Sequence, residues 1–265
     1  MFDLGALESA GENGLAGSIF AGKLHFSAVT GSTNSDALVA ARGGAPHGSV
    51  YFADEQQAGR GRGDHGWHSA FGEGLYVSVL VRPQIPTARL PLLPLVAGLA
   101  AADAIATVAG LAVDIRWPND LLIGPRKTGG ILVEASSEGT AIAFAVVGIG
   151  INVHQRSFAP GLSTAATSLD LEAGRRISRE CLLVALLKSL EREMLGLAEA
   201  SAAKKISTRV GSASTWIRGR SVEVHGPQAC AGVTAGLDEQ GFLLVCTDAG
   251  MVTVQTGGIR TNETN

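Results

Sequence analysis

Residues 54–67 constrain this chain more than any other stretch: Asp-Glu-Gln-Gln-Ala-Gly-Arg-Gly-Arg-Gly-Asp-His-Gly-Trp. Apolar segments that read as strands, 49–53 and 75–81, flank the run, so it crosses between two strands of one domain. It is too long and too glycine-rich for a hairpin turn, and loops of that kind generally carry function. Its four glycines free the backbone, while Arg60 and Arg62 bring guanidinium forks suited to phosphate. Taken alone, the run fits an anion-binding loop and a solvated basic hinge equally well.

The surrounding chain supplies the sheet that such a loop would cross. Residues 23–30 alternate weakly as a strand, then Gly31-Ser32-Thr33-Asn34-Ser35 offers N-cap groups to a helix over 36–41 closed by Gly43-Gly44. A strand-to-helix turn of this type aims backbone N–H groups and small hydroxyls into a cleft. An Ala/Leu-rich helix is expected over 88–108, with its apolar face in the core. A short strand over 113–117 meets the turn Pro118-Asn119-Asp120, and 127–136 with 140–153 reads as an antiparallel pair. Lys127-Thr128-Gly129-Gly130 and Gly148-Ile149-Gly150-Ile151-Asn152 place glycines in these neighbouring strands, where a ligand can approach closely. Residues 154–176 read as loop and 178–206 as a second long helix.

Beyond it the spacing shortens to strands over 221–224, 231–237, 242–246 and 252–255, the pattern of a small β-barrel. The expected domains are therefore 1–207 and 208–265, and the expected fold class is α+β: a mixed sheet with flanking helices plus the barrel.

With 265 residues, 46% hydrophobic and 17% charged, the chain has ample material for a full core. A net charge of -3 argues against general nucleic-acid affinity and makes the basic loop stand out. Cys181, Cys230 and Cys246 show no metal or redox spacing, and the six histidines form no ligand-spaced cluster. Residues 1–16 lack the basic start and apolar core of a signal peptide. Pro91, Pro94 and Asp103 interrupt the longest apolar stretch, so a soluble, cytoplasmic protein without membrane contact is expected.

No common nucleophile elbow, zinc signature, P-loop or dinucleotide fingerprint is present. What remains is a set of fixed cations (Arg60, Arg62, Lys127, Arg116), one turn carboxylate (Asp120) and neutral hydrogen-bonding groups (Ser32, Thr33, Gln56). This inventory suits joining two anions better than hydrolysis. A carboxylate that attacks the α-phosphate of ATP meets strong repulsion, which cations and Mg²⁺ relieve. The compact ammonium of Lys127 can serve both oxyanions, and Asp120 can orient or deprotonate an incoming amine or help hold the metal.

Five ordered motifs resemble the biotin–protein ligases. They are Ser32-Thr33-Asn34, Gln56-Gln57-Ala58-Gly59-Arg60-Gly61-Arg62, Arg116-Trp117-Pro118-Asn119-Asp120, Lys127-Thr128-Gly129-Gly130-Ile131-Leu132-Val133-Glu134 and Gly148-Ile149-Gly150-Ile151-Asn152. The likeness spans 24–152 closely, and 232–243 looks like the family's small SH3-like domain. The resemblance implies a two-step reaction. Biotin and MgATP give biotinyl-5′-AMP, and a lysine of a biotin carboxyl carrier domain then takes the biotinyl group.

By the same resemblance Ser32, Thr33, Asn34 and Gln56 hold biotin. Gly59, Arg60, Gly61 and Arg62 close over the intermediate, Trp67 walls the site, and Gly129 and Gly130 admit the ligand. Arg116, Asn119 and Asn152 join Arg60, Arg62, Trp67 and Lys127 on the nucleotide side, with Lys127, Arg62 and Asp120 expected to be catalytic. The resemblance assigns no metal ligands. Fewer than about two dozen residues precede the first strand, so no winged helix-turn-helix and no sequence-specific DNA binding is expected. Three alternatives stay open: a lipoate or octanoate ligase or transferase of related fold, a non-catalytic biotin- or nucleotide-sensing module, and a DNA-binding regulator. Oligomeric state is open as well, since an exposed sheet edge could pair two subunits as a homodimer or be blunted by the chain's own barrel.

Overall fold

Alternation along two neighbouring strands decides the layering of this protein. A computed structural model describes residues 1–7, 14–63, 65–139, 141–199 and 201–261. The large sheet has the order β1(Leu24–Thr30), β2(Val50–Gln56), β3(Gly74–Val81), β7(Ala141–Asn152), β6(Arg126–Glu138), β5(Asp120–Ile123), β4(Asp114–Arg116). β1 and β2 run parallel, and every other neighbouring pair is antiparallel.

On β7, Ala145, Val147, Ile149 and Ile151 point into the main core, as do Leu75, Val77, Val79 and Val81 on β3. Those residues meet α2(Leu92–Ala109) and α4(Arg179–Leu195), whose leucines are almost all buried. The opposite face is only half covered. There Leu80, Phe144 and Val146 pack under α1(Thr33–Arg42) through Ala37 and Ala41. Continuing by twos along the same face brings Ser78 and Tyr76 on β3, and Gly148, Gly150 and Asn152 on β7. Bulk thus gives way to small and polar side chains where α1 ends, and that step in height is the site.

Several sequence expectations hold with shifted ends. α1 begins three residues earlier than read, with Ser32 at the N-cap position and Asp36 in its first turn. β2 extends to Gln56 because its parallel pairing with β1 continues to Thr30. The Ala/Leu-rich helix starts at Leu92 after a 3-10 turn over Thr87–Arg89, which leaves Pro94 in the first turn, where proline is tolerated. It is long and apolar enough to cross a membrane by composition, yet 72% of it is buried in the protein. Thr140, where the sequence reading began the second strand of the pair, and Asp64 of the basic run lie outside the described residues.

Three expectations need correction. The single helix read over 178–206 is broken: α4 ends at Leu195, a 3-10 turn Gly196–Ala198 follows, and α5 occupies Ala202–Ser212. Gly196 weakens the helix there, and an apolar pattern alone does not reveal such a break. The loop read over 154–176 contains a short helix, α3(Leu169–Ala173), closed by Gly174 at φ 65. The C-terminal region has five strands instead of four, in the order β11(Gly250–Val254), β10(Leu243–Thr247), β9(Cys230–Leu237), β8(Arg218–His225), β12(Gly258–Thr261). β12 escaped notice because Gly257-Gly258 reads as a turn. Helix α5 runs across Ser207, and the core is continuous into the small sheet through Val222, Val224, Leu243 and Val245.

Candidate functional site

The uncovered half of the large sheet forms the floor of a cleft of about 810 Å³. The N-terminus of α1, the run after β2, the β4–β5 turn, the segment after β7 and the edge of the small sheet wall it.

At the α1 end, buried polar side chains form one connected network. Gln56 Oε1 accepts from the Thr33 backbone N–H at 3.0 Å and from Thr33 Oγ1 at 3.1 Å, while Gln56 Nε2 donates to Ser69 Oγ at 2.7 Å. Thr33 Oγ1 lies 2.7 Å from Ser78 Oγ, which donates to Asn34 Oδ1 at 2.5 Å. Asn34 Nδ2 donates in turn to Glu134 Oε2 at 2.9 Å. Glu134 receives both arms of Arg60, at 3.0 and 2.6 Å. A chain of this kind is stable only while every member is satisfied, so it fixes α1, the loop and β6 against each other.

The cation cluster sits at the other end. Asp120 takes Arg116 on one oxygen, at 3.1 and 2.6 Å, and Lys127 Nζ on the other at 2.5 Å. Burial raises the Asp120 pKa, but the Lys127 and Arg116 charges outweigh burial and hold it below the usual carboxylate value. Asp120 is therefore ionised at neutral pH and a poor proton acceptor; its chemistry is to aim two cations. Arg62 donates to the Gly257 carbonyl and, at 2.7 Å, to Thr256 Oγ1, both in the β11–β12 turn. Burial lowers the Arg62 pKa from its ordinary value, against the opposing pull of Asp120.

Trp67 covers the glycine floor between the two ends. A Cβ added at Gly150 would lie 2.6 Å from Trp67 Nε1, and one at Gly130 would lie 3.3 Å from Trp67 Cζ3. Lys127 Nζ stands 5.5 Å over the same ring. Gly150→Ala is expected to push Trp67 off the floor and to cost about 1–3 kcal/mol by overpacking. A denaturant titration with tryptophan emission as readout checks this, and an unshifted midpoint would contradict the close fit.

Most residues singled out from the sequence meet here. Ser32, Thr33, Asn34, Gln56, Arg60, Gly61, Arg62, Trp67, Arg116, Asn119, Asp120, Lys127, Gly130 and Asn152 all line this one cleft. Gly59 and Gly129 do not. A Cβ at Gly59 would meet the Trp67 carbonyl at 2.4 Å, and one at Gly129 the Gly150 carbonyl at 2.9 Å, so both glycines serve backbone packing. Asn119 also holds the scaffold together, since its amide donates to the Ile131 carbonyl at 2.8 Å and staples the turn to β6. Sequence reasoning gave no role to Glu134, Ser78 or Gln155, nor to the rim supplied by the small sheet. Glu134 had a signal, a lone carboxylate after the apolar run Ile131-Leu132-Val133.

The lining is strongly one-signed. Among the described residues that line the cleft, Arg60, Arg62, Arg116, Lys127 and Arg260 outnumber one lining carboxylate, Asp120, which pairs Arg116 and Lys127, while Arg60 is neutralised by Glu134. Such a cleft concentrates anions and stabilises negative charge as it is brought together.

Comparison with known proteins gives a consistent pattern. Residues 28–152 match the model of the biotin/lipoate A/B protein ligase family. The chain is 36% identical over 234 residues to the biotin--[acetyl-CoA-carboxylase] ligase of Mycobacterium tuberculosis, covering 86% of this chain and 84% of that protein. It is 39% identical over 181 residues to the bifunctional ligase/repressor BirA of Bacillus spizizenii; the match takes in 68% of this chain but only 56% of that relative's length. Among solved structures it is similar to the biotin protein ligase of Aquifex aeolicus in complex with biotin and ATP. There the TM-score is 0.78 at 29% identity, with 90% of this chain and 98% of that one covered.

Proposed function

The chain belongs to the biotin protein ligase family, and from that premise we propose that it activates biotin with ATP and passes the biotinyl group to a lysine of a carboxyl carrier domain. The observation that carries this reading is the convergence of Arg62, Arg116 and Lys127 around Asp120 in a cleft with a glycine floor.

Biotin and ATP are both anions, and the first step joins them. A biotin carboxylate oxygen forms a bond to the α-phosphorus while the bond from that phosphorus to the bridging oxygen breaks, releasing pyrophosphate. Lys127, aimed by Asp120, neutralises the carboxylate and the α-phosphate together, and Arg116 and Arg62 take charge that develops on the phosphates. Ser32, Thr33, Asn34 and Gln56 supply neutral donors and acceptors for the uncharged ureido ring, and Trp67 gives an apolar wall. Asn152 lies on the nucleotide side with Lys127. In the second step the amine of the acceptor lysine attacks the acyl carbon, AMP leaves with the bonding pair, and the amine proton passes to solvent. Asp120 is too firmly ionised to drive that proton transfer and acts by holding Lys127 in place.

The described residues build no all-protein cage for magnesium. Asp120 is committed to two cations, and among the described residues there is no group of three or more His, Cys, Asp or Glu that could hold a metal. Magnesium accordingly enters as MgATP, on the phosphates. We place the reaction in the cytoplasm.

The test is exchange of labelled pyrophosphate into ATP. Exchange that requires biotin is the expected result, while exchange with lipoate and none with biotin would reassign the substrate to the lipoate side of the family.

A further inference from the structure

The strand that carries Arg116 is, by its own ladder, the least secure part of the large sheet. β4 has three residues, lies at the sheet's edge and pairs with β5 alone. So short a strand needs packing from elsewhere to stay in place. The chain leaving α5 for the small sheet supplies it. Ile115 N–H donates to the Ala213 carbonyl at 3.0 Å, and Ser214 Oγ donates to the Ile115 carbonyl at 2.6 Å. Asp114 accepts the Thr215 N–H at 2.9 Å and Thr215 Oγ1 at 2.6 Å. On the far side of Arg116, Trp117 Nε1 donates at 3.1 Å to the Gly241 carbonyl, between β9 and β10.

Arg116 itself is met by a ring. The Trp216 indole lies against its guanidinium, with the central carbon 5.3 Å from the ring centroid. Trp216 is 6% exposed and Arg116 8%, and a cation is drawn most strongly to a ring face where water is shut out. Arg220 takes the same ring at 3.9 Å and donates to Thr215 Oγ1 at 3.2 Å, which steadies the indole from the small sheet. Asp120 holds Nε and Nη2 of Arg116, and Thr164 shares Nη2. Oxygens on one edge and a ring nearby restrain a planar group from turning. Arg116 lines the cleft, whereas Trp216 is not among its lining residues.

Resting on the proposed ligase reading, we infer that Trp216 is a positioning residue for the activation step: its indole holds the Arg116 guanidinium in the orientation that meets the triphosphate of ATP. Through this contact the small sheet acts on nucleotide binding from outside the cleft. Trp216 touches neither substrate, so its influence runs through Arg116 alone and falls on ATP and not on biotin. Trp216 also belongs to the main core, and its loss lowers stability whether or not it aims Arg116. Dependence on Arg116 separates the two roles.

The experiment uses the full chain with Trp216→Met, Trp216→Phe and Arg116→Ala, and with Trp216→Met combined with Arg116→Ala. Each is studied well below its melting temperature by biotin-dependent pyrophosphate exchange and by calorimetry with MgATP, with and without biotin. Biotin is also titrated alone. In Trp216→Met the KM and Kd for ATP should rise about twofold to thirtyfold, the range spanned by a lost cation–ring contact, with biotin affinity unchanged. Trp216→Phe keeps a ring face and should recover most of the loss. In the Arg116→Ala background Trp216→Met should add nothing. If Trp216→Met does not fold, the cycle is run with Trp216→Phe, whose smaller ring should give a reduced penalty that again vanishes without Arg116. An equal penalty with and without Arg116, or unchanged ATP affinity in whichever variant folds, overturns the inference. A parent that binds ATP but shows no biotin-dependent exchange counts against the ligase reading instead, and the calorimetric cycle still decides the role of Trp216. A parent that binds no ATP takes both readings with it.

Discussion

Lys127→Ala is expected to lower the rate of adenylate formation by about 10²–10³-fold, the usual consequence of removing one preorganised charge from a developing anion. The side chain stands at the junction of everything the reaction needs. Its ammonium is 2.5 Å from Asp120, above the Trp67 ring, and beside the glycine floor. The fold should survive, because Arg116 keeps two contacts to Asp120 and no buried carboxylate is orphaned. The measurement is single-turnover formation of the acyl-adenylate beside a urea titration of the same variant. A near-normal rate would remove Lys127 from the chemistry, and a collapse of stability would make it a structural residue.

The second large effect is on stability and lies beneath the cleft. Asp54, at 0% exposure, accepts the Phe2 backbone N–H on both oxygens, at 3.1 and 3.0 Å, and Arg179 Nη2 at 2.8 Å. Arg179 is itself 3% exposed, with its guanidinium 4.2 Å from the Phe2 ring centroid. Asp54→Ala leaves a buried cation without its counter-charge, which costs about 3–5 kcal/mol. Against the few kcal/mol that separate folded from unfolded domains, that is a large fraction. Urea denaturation should show the midpoint falling by a corresponding amount, with Asp54→Asn less affected than Asp54→Ala because its amide oxygen still accepts. An unshifted midpoint for Asp54→Ala would mean that Arg179 is hydrated in solution.

The sequence disclosed the site better than it disclosed the scaffold's joints. Lys127, Asp120, Arg62 and the α1 N-terminus were legible because charged groups and paired glycines in apolar strands have few structural excuses. The break after Leu195 was not, since a leucine-rich pattern looks the same whether a helix continues or restarts. Gly59 and Gly129 fall outside the cleft lining for a related reason. Glycine marks close approach, and the sequence does not say whether the approaching atoms belong to a ligand or to the chain's own backbone. Glu134 matters through Asn34, 100 residues away along the chain, and through Arg60, 74 residues away. Such relations exist only once the strands are paired.

The grip of Arg62 on the β11–β12 turn has a practical corollary. On the proposed reading, turning this guanidinium toward a phosphate weakens its hold on the small sheet, so nucleotide affinity is a net quantity, attraction less detachment. Anything fused beyond β12 that loosens this turn would change how well the protein takes up ATP without touching any atom that meets it.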